Sequence, residues 1–129
     1  MRKVISLIVV PILFVTGLVF AQQHEKIAVA SDGKTTAANV SSVAARSPYY
    51  LLFDTNGKLL EAVENLYKTA KSGASASVLS FLAKKEVTMI IAGDFGDKMI
   101  GDMKDKRINY VEFKGSVAEA LEAGAGTKE

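Results

Sequence analysis

Val87 to Ala92 form a near-continuous apolar run that lies between two segments with helical spacing of apolar residues. The segments 72–85 and 98–105 each repeat apolar side chains at intervals of three and four residues, the period of a helix packed on one face. A strand that is apolar on both sides is buried on both faces of its sheet. Strand–helix–strand crossovers favour parallel, right-handed pairing. The run therefore predicts an α/β domain whose sheet is covered by helices.

The remaining elements complete one sheet. Residues 49–64 read as a β-hairpin, because Asp54-Thr-Asn-Gly57 is a strong turn sequence between two strand-forming runs. Ser116 and Glu119 have the spacing of a capping box, which predicts the start of a last helix that ends near Ala123. Two more strands are expected at 26–30 and 108–113, and a loop with little periodicity at 34–47. The order β-ββ-α-β-α-β-α predicts a five-stranded mixed sheet with the hairpin at one edge.

Composition narrows the chemistry. The 129 residues suit a single domain, and the chain has no cysteine, which excludes disulfides, thiolate metal sites and cysteine nucleophiles. Arg2 and Lys3 account for the excess of 16 basic over 14 acidic residues. The rest of the chain is formally neutral, so no binding of nucleic acid is expected, because such binding depends on cationic contacts to phosphates.

Residues 1–21 have the pattern of a signal peptide. A short basic start precedes an apolar run from Val4 to Phe20, and small residues follow. We expect cleavage after Ala21 and a periplasmic or secreted protein. The alternative is a retained membrane anchor, although Pro11 and Gly17 interrupt the run. Residues 22–25 are then a flexible N-terminus and residues 124–129 a frayed tail.

Four short segments, in this order and spacing, resemble the dinitrogenase iron–molybdenum cofactor biosynthesis family. They are the opening strand and turn at 26–32, Arg46-Ser-Pro-Tyr-Tyr50, Ala92-Gly-Asp-Phe-Gly96, and Gly115-Ser-Val-Ala-Glu-Ala-Leu121. The resemblance implies a nitrogenase accessory factor-like domain over residues 26–123. It also implies a three-layer, ribonuclease-H-like α/β fold with strand order 3-2-1-4-5 and helices on both faces, and a role as a non-enzymatic cofactor carrier.

The resemblance also locates one substitution. The family has His-Phe-Gly directly before the segment that begins at Arg46, where this chain has Val43-Ala44-Ala45. In the family that histidine is the natural candidate to hold a metal cluster. A carrier built on this chain must therefore hold its ligand without it.

The candidate ligand site combines two loops and one arginine. Strand ends in α/β sheets are common ligand sites, and backbone N–H groups before a helix can hold an anion such as a metal–sulfur cluster or an oxyanion. The alternative interpretation is that the two glycines only permit a tight turn, that Asp97 only caps the helix, and that Arg46 is solvated or forms a structural ion pair. The predicted ligand-binding residues are Ser31, Asp32, Arg46, Gly93, Asp94, Phe95 and Gly96.

Other functions have less support in the sequence. A metal-dependent nuclease site would need Asp32, Asp54 and Asp94 together, but Asp54 belongs to the hairpin turn. His24 is the only histidine, so no Ser-His-Asp set can be assembled. The alternative to ligand carriage is a protein-interaction module on the same fold. The exposed edge of the hairpin would then pair with a second copy.

Overall fold

The computed structural model describes residues 25–126, with side chains through residue 124. Within them the chain forms five strands, three helices and one 3₁₀ turn. These are β1 (Lys26–Ser31), the 3₁₀ turn (Ala44–Arg46), β2 (Tyr49–Phe53), β3 (Leu59–Glu64), α1 (Ala74–Lys84), β4 (Val87–Ala92), α2 (Asp97–Lys106), β5 (Asn109–Glu112) and α3 (Val117–Gly126).

The strands form one mixed sheet in the order β3-β2-β1-β4-β5. β1 pairs antiparallel with β2 and parallel with β4, and β5 is parallel to β4. This order, the mixed sheet and the edge position of the hairpin confirm the predicted fold class.

Alternate residues of the central strands face opposite layers, because successive side chains of a strand point to opposite faces. Ala28, Ala30 and Leu52 belong to the core that α1 and α2 cover. Ile27 and Leu51 belong to a second core that includes side chains of α3. Helices therefore cover both faces of the sheet, and the three layers are confirmed.

The hairpin has a specific turn and an irregular second strand. Asp54 Oδ1 accepts hydrogen bonds from the backbone N–H groups of Asn56 (2.8 Å) and Lys58 (2.9 Å). Phe53 then pairs with Leu59 and Leu52 with Glu61, so that Leu60 is an additional residue in β3. Such a bulge increases the local twist of an edge strand.

The last helix begins as predicted but ends later. Ser116 Oγ accepts from the Glu119 N–H (3.1 Å), and Glu119 Oε1 accepts from the Ser116 N–H (3.0 Å), which confirms the capping box. α3 continues to Gly126 rather than ending near Ala123. Gly124 makes this possible, because a Cβ there would lie 2.9 Å from Ile91 Cδ1, so the glycine lets the helix pack closely on β4.

Several predictions fall outside the described residues. The signal peptide at 1–21, residues 22–24 with His24, and residues 127–129 are among them. Between residues 25 and 126, no helix has the length and apolar character needed to cross a membrane.

Candidate functional site

The ends of β1 and β4 lie side by side, as predicted, and a third segment passes between them. Ser41 donates its N–H to Ala30 O (2.8 Å), and its own carbonyl accepts the N–H of Gly93 (2.9 Å). The loop after β1 therefore ties the two strand ends together. We refer to residues 31–33, 39–46 and 93–96 as the rim.

Gly93 is required by this close approach. A Cβ at position 93 would lie 2.8 Å from Ser42 Cα and 2.9 Å from Ser42 O, distances that no side chain can occupy without movement of the backbone. Its N–H is already bonded to Ser41. Gly93 thus contributes to the rim as a packing residue, and its amide is not available to a ligand.

Asp94 and Phe95 also contact the rest of the rim or the core. The Asp94 carbonyl accepts the Ala44 N–H (2.9 Å), whereas its side chain is exposed. Phe95 is only 5% exposed, and its ring centroid lies 5.1 Å from that of Tyr110. The side chain of Phe95 is therefore held in the core, and only its backbone can contribute to a ligand site.

Gly96 starts α2. It is the N-cap at φ 76° and ψ 151° without a side-chain hydrogen bond, and Asp97 is the first helical residue. Asp97 is therefore not the cap, contrary to the structural alternative drawn from the sequence. Within residues 25–126, no hydrogen bond is made by the N–H groups of Asp94, Phe95 and Gly96. They are the amides of this loop that remain for a ligand.

Ser31 and Asp32 differ in availability. Ser31 is buried, and its Oγ donates to Gly33 O (2.6 Å) and accepts from Gly33 N–H (3.1 Å). Asp32 donates its N–H to Asn39 O (3.0 Å), but its side chain is exposed. The Ser31 hydroxyl therefore shapes the turn, while the Asp32 carboxylate is open to solvent.

Arg46 faces a different part of the chain. Its Nη1 donates to the carbonyls of Lys68 (3.0 Å) and Ala70 (2.6 Å), in the segment that follows β3. The guanidinium is thus bonded to the backbone of residues 68 and 70, and no hydrogen bond joins it to the 31–33 or 93–96 loops. On this geometry Arg46 holds the segment after β3, and we leave it out of the candidate site.

Two buried side chains that the sequence reasoning did not identify hold the rim in place. Asn65 is 4% exposed, and its Nδ2 donates to Ala45 O (3.0 Å) and Ser47 O (2.9 Å). The Tyr50 hydroxyl donates to Ala44 O, and burial raises the pKa of Tyr50 well above its usual value. The 3₁₀ turn is therefore fixed by side chains from β2 and from the segment after β3.

Val43 is the exposed apolar residue of the rim. Its exposed fraction is 45%, and the next residue, Ala44, is bonded to Asp94. The position where the resemblance places a histidine thus opens to solvent beside the 93–96 loop.

Three exposed carboxylates lie on the rim or directly after it, and Arg46, whose guanidinium is bonded to the carbonyls of Lys68 and Ala70, is the cationic residue of the rim. Asp32, Asp94 and Asp97 are exposed there, whereas Asp54 follows β2 at the opposite end of the sheet, because Phe53 pairs with Ile27. In the part of the chain that the structure describes, no three histidine, cysteine, aspartate or glutamate side chains are grouped so that they could hold a metal ion. The predicted separation of Asp54 from the other two aspartates is thus confirmed.

Comparison with known proteins gives a consistent result. The family described as dinitrogenase iron–molybdenum cofactor matches residues 25–125. A provisionally assigned NifB protein from Thermotoga is 30% identical, with a TM-score of 0.65, and the alignment covers 78% of this chain and 87% of that one.

Two further structures share the fold. The apo form of the orange protein from Desulfovibrio gigas has a TM-score of 0.74 at 20% identity, over 84% of this chain and 92% of that one. A provisionally assigned dinitrogenase from Methanocaldococcus jannaschii has a TM-score of 0.57 at 14% identity, over 80% and 89%. A search of curated proteins finds no significant match.

Proposed function

This chain belongs to the dinitrogenase iron–molybdenum cofactor family, and from that premise we propose that it is an exported carrier that binds a metal–sulfur anion or an oxyanion non-covalently, without catalysing a reaction. The family match over residues 25–125 carries the proposed carrier role, and the pattern of residues 1–21 carries the proposed export. The arrangement of the rim supports a particular binding mode.

The free amides of Phe95 and Gly96 are the donors that we assign to the ligand. They directly precede α2, where the helix dipole favours negative charge. Val43 is exposed beside the same loop and offers no ligand atom. The cluster is therefore held by backbone N–H groups rather than by a side chain, which predicts weak and reversible binding.

The carboxylates next to these amides limit the expected affinity for an anion. Asp94 and Asp97 are exposed beside these amides, and their charges repel an anion. Asp94→Asn should therefore tighten binding of an anion, whereas it would weaken binding of a cation. The sign of this change distinguishes the two ligand classes.

The direct experiment is elemental analysis and absorption of the protein purified from its native host without chelator, followed by a thermal shift with tetrathiomolybdate. A ligand that binds the folded state raises the unfolding temperature. A tetrathiomolybdate-induced rise in the unfolding midpoint supports the proposal if the rise is larger in Asp94→Asn than in the wild type. No molybdenum or iron on the purified protein and no shift with tetrathiomolybdate would refute it.

A gain-of-ligand variant gives a sharper test. Val43→His restores a histidine at the rim, and Leu60→His is its matched control, because Leu60 is 46% exposed at the far end of the sheet. Val43→His should strengthen cluster retention by about tenfold or more, since a coordinate bond is added. If the two variants retained the cluster equally well, position 43 would not lie at the ligand site.

Export is proposed from residues 1–21 and is tested separately. The mature protein should begin at Gln22, as measured by intact mass or N-terminal sequencing of the periplasmic fraction. An intact Met1 in the membrane fraction would instead indicate a retained anchor.

A protein-interaction module is the second candidate. Leu59, Leu60 and Leu66 are exposed on and after edge strand β3, Leu66 by 75%, and edge strands pair readily with other chains. This candidate predicts a homodimer through β3. Leu60→Lys should then shift a concentration-dependent dimer to monomer in analytical ultracentrifugation, whereas a wild-type chain that is monomeric at high concentration excludes it.

A further inference from the structure

A groove follows the free edge of β5, on the side of the sheet opposite to the hairpin. Five consecutive residues, 107–111, line it together with Met89 and Lys104, and its volume is about 650 Å³. Arg107 and Ile108 precede β5, and residues 109–111 belong to it, so the groove runs from the end of α2 along β5. An extended chain fits this shape better than a compact ligand.

The outward backbone groups of β5 are unpaired. Phe113 donates its N–H to Ala92 O (2.9 Å), so the residues of alternate parity face β4. The N–H and C=O groups of Tyr110 and Glu112 consequently face away from β4. β5 is the last strand in the sheet, and these groups have no strand partner among the described residues. Such an edge is a template for another extended segment.

The groove is positively charged at one end. Lys104 and Arg107 line it, and neither forms an ion pair within residues 25–126. Arg107 also borders the adjoining recess, which contains Glu25, Thr55 and Thr88. Glu112 lies at the other end of β5, so an acidic group is favoured only near Lys104 and Arg107.

Two details organise this surface. Arg107 ends α2 in the left-handed conformation, at φ 59°, which non-glycine residues rarely adopt. Tyr110 is partly exposed and its ring is held against Phe95. The groove thus offers a cation at its start and a fixed aromatic ring along its length.

We propose that the β5 edge binds an extended peptide segment of another protein by strand addition, with an acidic side chain beside Lys104 and Arg107 and an apolar one against Tyr110. The groove shares no lining residue with the rim, although the Tyr110 ring contacts Phe95, and the proposal does not depend on the proposed carrier function.

The test uses the isotope-labelled protein and a blocked octapeptide of alternating valine and aspartate. Binding should slow amide exchange at Tyr110 and Glu112 by about tenfold or more. The same peptide methylated on alternate backbone nitrogens, and a valine–lysine peptide, are the probe controls. Each should bind about tenfold more weakly, because the first lacks strand hydrogen bonds and the second has the wrong charge.

Protein variants separate the edge from the charges. Glu112→Pro removes an outward N–H but leaves the ladder to β4 intact, and it should weaken binding by about tenfold. Lys104→Ala should weaken it by about threefold, in a salt-dependent manner, whereas the exposed Lys84→Ala on α1 should not change it.

Arg107→Gly distinguishes binding from a structural role. Glycine relieves the left-handed conformation, so the variant should unfold at a higher temperature and yet bind the acidic peptide several-fold more weakly. A higher unfolding temperature with unchanged affinity would overturn the assignment of Arg107. Equal binding of the methylated or lysine peptide, no protection of Tyr110 and Glu112, or concentration-dependent protection without peptide would overturn the proposal, the last because the occupant is then a second copy.

Discussion

The rim and the β5 edge use their backbone groups in opposite ways. At the rim, Ser41, Gly93 and Ala44 are bonded to other parts of the same chain. Along β5, the outward groups of Tyr110 and Glu112 have no strand partner within residues 25–126. The site implied by family resemblance is therefore largely saturated by its own loop, and a second surface retains unused hydrogen-bonding capacity. A ligand at the rim must use the few amides that remain.

Asn65 provides the strongest way to break this comparison. Asn65→Leu leaves the carbonyls of Ala45 and Ser47, both buried, without their donor and also removes the acceptor for the Tyr67 N–H. Unsatisfied buried polar groups cost about 1–3 kcal/mol each, so the free energy of unfolding should fall by about 3–5 kcal/mol. Urea denaturation measures the loss.

Asn109→Leu is the control for that change, because Asn109 is exposed on β5. We expect its effect to stay within about 0.5 kcal/mol. If the two variants were equally stable, the rim would not be held by Asn65, and the contrast between the two regions would fail.

Two glycines test the close packing of the rim. Gly93→Ala places a Cβ against the Ser42 backbone and should destabilise the protein by about 1–3 kcal/mol. Gly101→Ala, in α2 where no heavy atom lies within 4 Å of the added Cβ, should stabilise it by about 0.5–1 kcal/mol. Thermal unfolding of both variants gives the comparison. The same sign in both would mean that the rim loop can move away from β4.

Tyr50 should make the stability of the protein depend on pH in the alkaline range. Tyr50→Phe removes the hydrogen bond to Ala44 and should cost about 1 kcal/mol at neutral pH. Burial raises the pKa of Tyr50 above that of an unfolded tyrosine, which is about 10. Above pH ~10 the unfolded state therefore releases a proton that the folded state retains, and stability falls as the pH rises.

That part of the alkaline decline should be absent in Tyr50→Phe and present in Tyr110→Phe, whose ring is partly exposed. Unfolding midpoints between pH 8 and 11 measure it. Identical profiles for the wild type and Tyr50→Phe would show that the phenol is not held neutral by burial.

The sequence was sufficient for the sheet and insufficient for the rim loop, for a physical reason. Strands and helices have repeating patterns, so Val87–Ala92 and the capping box of Ser116 and Glu119 could be recognised locally. The loop at 34–47 has no period, and it is fixed by side chains distant in sequence, such as Asn65, which bonds Ala45. Nothing in the sequence around residue 65 indicates which carbonyls it will meet.

The backbone conformation at the helix ends was a second feature that the sequence did not indicate. Arg107 adopts a left-handed conformation at a helix end without being glycine, so the usual signal for that position is missing. Gly124 carries the usual signal of a helix end, but α3 continues past it. A Cβ at this position would lie 2.9 Å from Ile91 Cδ1, so the glycine serves the packing of the helix on β4.

Arg46 offers the smallest effect and a direct test of a predicted ligand residue. Arg46→Met removes the exposed hydrogen bonds to Lys68 and Ala70 and should cost about 0.5–1 kcal/mol in urea denaturation. The shift produced by tetrathiomolybdate should be unchanged, because the guanidinium is already bonded to the carbonyls of Lys68 and Ala70. A reduced shift would return Arg46 to the ligand site and would mean that it leaves its carbonyl partners when an anion binds.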